Sequence, residues 1–448
     1  MRSGEIAAVR SRLEEFAAEV FAGLPRSDQR AVGGLYVRGL LLDGQRKSMQ
    51  PMAERLGVDH QRLQQFMSSS TWDFVGVRRR LAARVEQVVA PVAWVIDDTG
   101  FPKYGTSSPG VARQYSGTLG KVGNCQIGVS VHAVTDHASA ALDWRLFIPE
   151  SWDDACTADP DTAEAIRRRR TRCGIPGGER NRPKWQLAIE MLDELGGWGL
   201  QTPVICADAG YGDNAHFRAA LAERDLDYIV QVKGTATAQA ADAVPELPPA
   251  KGKGWRGLPR YRTKPISLRE HILAAGRVPA RRLPWRHGSK GTLAAEFVAL
   301  RVRPAGRRPR YAADGTLTQA WLIAQWPPDE DEPVKYWLSN LPADTPLIEL
   351  IRLGKIRWRI EHDYRELKTG LGLDHYEGRS WKGRHRHVTL VTAAHLFLTT
   401  LRLTSPKATG RPESLQSPPR ATNTARHLDR PLPHLPTTLR LIHLTKHY

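Results

Sequence analysis

Two short apolar runs that each end on an aspartate, with one glycine-stopped helical segment between them, constrain the fold of this chain most. VAWVIDD (92–98) closes on Asp97 and Asp98, and PVICADAG (203–210) carries Asp208 just past its apolar part. Both are short and rich in β-branched residues, which reads as buried strand. KWQLAIEMLDELGGWG (184–199) repeats apolar positions at helical spacing before its glycines stop it. Strand, helix and the Asp208 strand in that order make a β-α-β step that would place the new strand parallel in the same sheet. NCQIGVSVHAVTD (124–136) and ALDWRLFIPE (141–150) supply two more strands ahead of the helix, bounded by Gly, Ser and Pro turns.

A third acid, Glu361, lies in RWRIEHDYRELK, far along the chain from the other two. Three strands, a helix, a strand bearing Asp208 and a late helix bearing Glu361 make the order of an RNase H-like α/β domain, a mixed sheet flanked by helices. At about 100° per residue, Ile360, Tyr364, Leu367 and Leu371 share the arc that faces a core. Arg357, Glu361 and Lys368 border that arc, while Glu366 points away and is expected in solvent. Asp97 and Asp98 are adjacent on a strand, so they face opposite sides of the sheet. Asp97 is the preferred ligand with Asp98 as substitute, and Asp213 is a second choice beside Asp208. Taken singly, each acid also has a structural reading, as an ion-pair partner or a loop cap.

Hard divalent cations take oxygen donors, and a metal pair clamps both the attacking and the leaving oxygen of a phosphoryl transfer. Asp97, Asp208 and Glu361 are therefore expected to hold two Mg²⁺ or Mn²⁺ ions. A formal charge of +18 suits a polyanionic partner such as double-stranded DNA. The cysteines Cys125, Cys156, Cys173 and Cys206 form no CxxC pair, which excludes a zinc finger by spacing and points to a reducing cytoplasm. No stretch approaches the ~20 apolar residues of a membrane span, and the N-terminus alternates charge with apolar residues.

Residues 1–90 read as a helical N-terminal domain. Within it MAERLGVDHQRLQQFM offers Gly57 to end one helix and Asp59 to cap the next, the pattern of a helix-turn-helix. A helical hairpin without a DNA role is the equal alternative. Arg62 and Gln65, with Gln61 and Gln64, are the side chains suited to base edges, and Arg78, Arg79 and Arg80 those suited to phosphates. Residues 91–234 are the first part of a catalytic core, 235–335 a basic β-rich insertion, and 336–403 the last strand and helices of the core. Residues 404–448 form a Pro-rich tail with little periodicity.

The stretch IDDTGFPKYGTSSPGVARQYSGTLGKVGNCQIGVS resembles the first catalytic block of the DDE transposases of bacterial insertion-sequence family 701, a branch related to family 4. ADAGYGD is similar to the second block, and RWRIEHDYRELKTGLGLDHYEGRSW to the third. The resemblance spans roughly residues 30–400. It implies metal-binding roles for Asp97, Asp208 and Glu361, and phosphate contacts for Arg357 and Lys368, with Arg365 beside them. The related family places a tyrosine where this chain has Gly354, a departure that removes one such contact. It also implies a base flipped onto an aromatic ring, for which Tyr336 or Trp337 is nearest, although a place for both in the core is the preferred reading.

The expectation is a bacterial, nucleoid-associated transposase that cleaves and joins DNA at the ends of an insertion sequence, acting as a homodimer on DNA. The alternatives are a nuclease of the same fold without joining activity, and an inactive remnant that only binds DNA.

Overall fold

The computed structural model describes residues 3–247, 259–288 and 291–404. The chain opens with helices α1 (Ser3–Phe21), α2 (Ser27–Leu41), α3 (Met49–Leu56), α4 (His60–Ser68) and α5 (Phe74–Val89). Strands β1 (Ala93–Pro102), β2 (Ala112–Ser116), β3 (Lys121–Val134) and β4 (Ser139–Leu146) follow, then α6 (Pro160–Cys173) and α7 (Lys184–Gly197). Next come β5 (Val204–Ala207), α8 (Ala209–Gly212), α9 (Ala215–Glu223) and β6 (Tyr228–Val232). The 235–335 segment contributes β7 (Thr237–Ala240), β8 (Ile266–Ser267), α10 (Leu268–Ala275), β9 (Arg281–Gly288), β10 (Gly291–Pro304) and β11 (Ala320–Gln325). Strand β12 (Lys335–Ser339) and helices α11 (Leu347–Lys355), α12 (Trp358–Arg365) and α13 (Trp381–Leu403) complete the described chain. The tail expected over 404–448 lies outside the described residues apart from Thr404.

These strands form one mixed sheet in the order β2-β3-β1-β5-β6-β12-β11-β10-β7-β8, with β4 on β3 and β9 on β10. It is the RNase H-like arrangement: β1 pairs antiparallel with β3 and parallel with β5, and β5 pairs parallel with β6. The parallel step follows from α7, whose Leu187, Ala188, Met191, Leu192 and Leu195 are buried along one stripe against β3 and β4. The strands of 235–335 do not stand apart as a second sheet. Antiparallel pairing of β12 with β6 and β11 carries the central sheet straight on into them.

Helix α13 is buried along nearly its whole length. It lies between β4 on one side and α1, α2, α4 and α5 on the other, so the N-terminal helices share a core with the sheet. The α3–α4 pair has the expected joints: Gly57 ends α3 at φ 67°, and Asp59 accepts a hydrogen bond from Gln61 N at 2.9 Å to cap α4. Leu63, Phe66 and Met67 bury the inner face of α4. Its last carbonyls are satisfied by the buried Arg386 of α13, whose guanidinium donates to the oxygen of Met67 at 3.1 Å.

Candidate active site

The register of the parallel pair brings the first two acids together. Ile96 stands opposite Ala207 across β1 and β5, and Asp97 and Asp208 are the next residues along the chain. Asp208 turns the chain out of the sheet, its Oδ1 accepting from Gly210 N at 2.9 Å to cap α8. Gly212 is needed for that turn to lie flat on β6, because a Cβ there would sit 2.2 Å from the Gln231 carbonyl oxygen. Asp98 faces the other side of the sheet, taking a 2.9 Å ion pair from Lys184 at the start of α7.

The third acid joins through a cation. Arg357 Nη1 donates to Asp97 Oδ2 at 2.6 Å, and Nη2 donates to Glu361 Oε1 at 3.1 Å. Asp97 is 8% exposed, whereas the Glu361 side chain is 62% exposed. Burial pushes the Asp97 carboxyl up to about 7, with Asp208 and Asp98 adding to the rise and Arg357 opposing it. Burial also works against the Arg357 charge, but Asp97, Asp208 and Glu361 together hold its pKa above the ordinary arginine value.

Beneath these groups runs a buried polar chain that fixes the helix bearing Glu361. Tyr364 OH lies 2.7 Å from Ser130 Oγ, which lies 3.1 Å from His132 Nε2. His132 Nδ1 is 3.0 Å from Asp363 Oδ2, and Ser139 Oγ donates to Asp363 Oδ1 at 2.6 Å. Of these only Tyr364 was named from sequence, and there as a core residue; the signal available for the rest was a histidine in the apolar second half of strand β3.

Ile360, Tyr364, Leu367 and Leu371 are buried as the helical phase predicts. Glu366 departs from expectation. It points away from the sheet, but α13 occupies that side, so Glu366 is buried and bidentate to Arg402 at 2.7 Å and 2.7 Å, with His395 Nε2 at 3.3 Å. The helix also changes pitch there, to a π turn over Glu366–Gly370. Lys368 Nζ donates to Gly100 O at 2.7 Å and to Thr118 Oγ1 at 3.1 Å, just beyond Asp97 on β1. Arg365 is exposed.

Other sequence assignments divide. Asp213 pairs with Lys233 at 3.3 Å. Arg78 is corrected from a phosphate ligand to a core ion pair, 2.9 Å from the fully buried Asp143 and 3.2 Å from Glu194. Arg79 and Arg80 are exposed, as are Arg62 and Gln65 on α4. Tyr336 and Trp337 are buried in β12. At Gly354 a Cβ would meet Ile229 at 3.2 Å and Trp337 at 3.5 Å, so the space that a tyrosine would take is filled by the core.

The donor set is hard oxygen, and three carboxylates (Asp97, Asp208 and Glu361) surround one cation, Arg357. That excess of negative charge fits a divalent ion. Among the described residues, no three acidic, imidazole or thiolate side chains are already gathered tightly enough to chelate one, since Arg357 lies between Asp97 and Glu361.

Comparison with known proteins agrees with this geometry. Residues 19–292 match the family model described as DDE superfamily endonuclease. Over 199 residues the chain is 28% identical to a protein of Microchaete diplosiphon described as "Probable transposase for insertion sequence element IS701". That match covers 44% of this chain and 47% of the relative, so the chain spans about half the length of the relative. Glu361 lies beyond the residues matched by the family model. No helix among the described residues is long and apolar enough to cross a membrane.

Proposed function

We propose that this chain, which belongs to the DDE superfamily endonucleases, is a transposase that cuts phosphodiester bonds at the ends of a mobile DNA element and joins the freed 3′-hydroxyls to target DNA. The observation that carries the reading is that Asp97 and Asp208 both come just past the point where the parallel pairing of β1 and β5 ends, with Glu361 tied to Asp97 through Arg357. Acids from three separate segments converging on one point suit phosphoryl transfer, in which the protein mainly positions groups and offsets charge.

Asp97, Asp208 and Glu361 would hold the divalent ions, Mg²⁺ or Mn²⁺, with Asp98 held aside by Lys184. Bound there, the ions would activate water or the 3′-hydroxyl and stabilise the leaving oxygen. Admitting them requires Arg357 to withdraw from between Asp97 and Glu361, which frees its guanidinium for a phosphate of the DNA end. Lys368, Arg365, Arg79 and Arg80 are further phosphate ligands, and two copies of the chain would each grip one end. Double-stranded DNA of the bacterial nucleoid is the substrate in this reading.

The test incubates the chain with labelled end DNA, target DNA and Mg²⁺ or Mn²⁺. Cleavage and joined product are expected, and both should vanish in Asp97→Asn and Asp208→Asn. Cleavage without joining would reduce the activity to that of a nuclease. DNA binding without either would mark a remnant.

A further inference from the structure

Four cations gather around the 371–377 turn. Lys47 and Arg384 are almost fully buried, and Lys103 and Lys368 are half-buried. Their hydrogen-bond partners are neutral: Lys47 Nζ donates to Leu42 O, Lys103 Nζ to Tyr376 O at 2.6 Å, and Lys368 Nζ to Gly100 O at 2.7 Å. Arg384 lies 4.2 Å over the Phe101 ring, with its Nε unpaired. Among the described residues no ion pair joins Lys103, Lys368 or Arg384 to a carboxylate. The acids that face them more distantly are Asp374 and Glu377, and Asp43 beside Lys47. Burial pushes all three lysines down to about 8. Charges taken out of water without a counter-charge are costly, and proteins retain them mainly where something else supplies that charge.

The cations form a path. β1 runs from Asp97 past Gly100 to Lys103, ~20 Å at strand spacing. Lys103 reaches the carbonyl of Tyr376, and Tyr376 lines a cleft of about 440 Å³ closed on the far side by α3 and α4. Arg46, Lys47, His60, Gln64 and His375 line the same cleft, together with the carboxylates of Glu54 and Glu377. Lys47 is fixed there by its backbone N–H, which donates to His375 Nδ1 at 3.1 Å. The cleft therefore lies between the turn that follows the acid-bearing helix and the outward face of the second helix of the helix-turn-helix.

We infer that this cleft, with Lys103 and Arg384 behind it, seats the phosphodiester backbone of DNA and carries a strand from the carboxylates to the helix-turn-helix. The inference rests on the transposase reading and deepens it. Lys368 belongs to that reading already, and Lys47, Lys103 and Arg384 are the additions. A phosphate at this position supplies the counter-charge that the fold withholds.

The test compares the full wild-type chain with a Lys47→Gln/Lys103→Gln variant, in EDTA, so that no cleavage contributes. Affinity for a linear duplex is measured across salt concentrations, beside melting temperature. Each lost phosphate contact lowers the slope of log K against log salt by about 0.9, so the variant should lose about two in slope, with melting temperature unchanged or higher. Lys47→Arg/Lys103→Arg should restore the slope. An unchanged slope overturns the inference and leaves the transposase reading standing. Should the double variant fail to fold, Lys103→Gln alone decides, by a loss of about one in slope or none. A wild-type chain that binds no DNA would overturn both readings.

Discussion

Arg357 joins Asp97 to Glu361, its two terminal nitrogens donating at 2.6 Å and 3.1 Å to carboxylates from a strand and a helix that lie far apart in sequence. One guanidinium thus serves as a counter-charge to both acids. A divalent ion and Arg357 would compete for the same oxygens. Arg357→Gln should therefore bind Mg²⁺ or Mn²⁺ more tightly in the absence of DNA, by about tenfold or ~1.4 kcal/mol. The measurement is the rise in melting temperature on adding metal. A rise equal to or smaller than that of the wild type would show that Arg357 does not occupy the metal seat.

The position of Asp97 sets a pH dependence with a definite sign. Its carboxyl is pushed up to about 7 in the folded chain, from an ordinary value near 3.8, chiefly by burial. Folding therefore takes up a proton in between, and the stability this group allows is full below about pH 4 and lost as pH rises through about 7. Three units correspond to a ceiling of about 4 kcal/mol. Asp97→Asn should remove most of this decline between pH 4 and 7 and melt higher than wild type at pH 8 in EDTA. A decline of equal size in both proteins would assign it to other groups.

Glu361 and Glu366 lie five residues apart and should fail differently. Glu361 is exposed and, among the described residues, paired only with Arg357, so Glu361→Gln should abolish cleavage of end DNA with little change in melting temperature. Glu366 is buried between Arg402 and His395, and its carboxyl is held far below the usual range: burial opposes this, and the hydrogen bond from His395 and the charge of Arg402 outweigh it. Its stabilisation is present above its unfolded pKa and lost as pH falls. Glu366→Gln should cost about 3–5 kcal/mol, the range for breaking a buried pair, and activity should fall only through unfolding. Loss of cleavage in a stably folded Glu366→Gln protein would reverse the roles of the two acids.

Period and breaker residues made much of this fold legible. The β-branched runs ending at Asp97 and before Asp208 became paired parallel strands, because the intervening helix permits only that crossover. The helical wheel gave the right direction for every residue of α12 that was assigned to the core. It did not reveal what stands in each direction, so Glu366 was expected in water where α13 packs. Arg78 was misread for the same reason: Asp143 and Glu194 are remote in sequence, and a run of arginines looks like a basic surface until its partners are placed. Strand β2 was illegible because ARQYS is a polar edge strand with alternate residues exposed. The cation cluster near Tyr376 was invisible, since its members come from α13, β1, the loop after α2 and the π turn.

The N-terminal helices offer the sharpest remaining division between base reading and phosphate binding. Arg62 and Gln65 are exposed on α4, whose inner face is locked into the core by Leu63, Phe66 and Met67 and whose end is held by Arg386. A helix so fixed can present side chains to a groove without losing its own packing. Arg79 and Arg80 are also exposed, whereas Arg78 neutralises Asp143 in the core. Alanine at Arg62 and Gln65 should lower the preference for end DNA over random duplex by about 1–3 kcal/mol per lost base contact. Neutralising Arg79 and Arg80 should weaken binding to all DNA alike and flatten the salt dependence. Arg78→Ala should do neither directly, but should lower the melting temperature by removing one of the two arginines, Arg78 and Arg145, that neutralise the buried Asp143. Affinities for both DNAs at two salt concentrations, with melting curves for each variant, separate these outcomes. An unaltered preference for the end in the Arg62 and Gln65 variants would reduce α3–α4 to a hairpin that packs on the catalytic sheet.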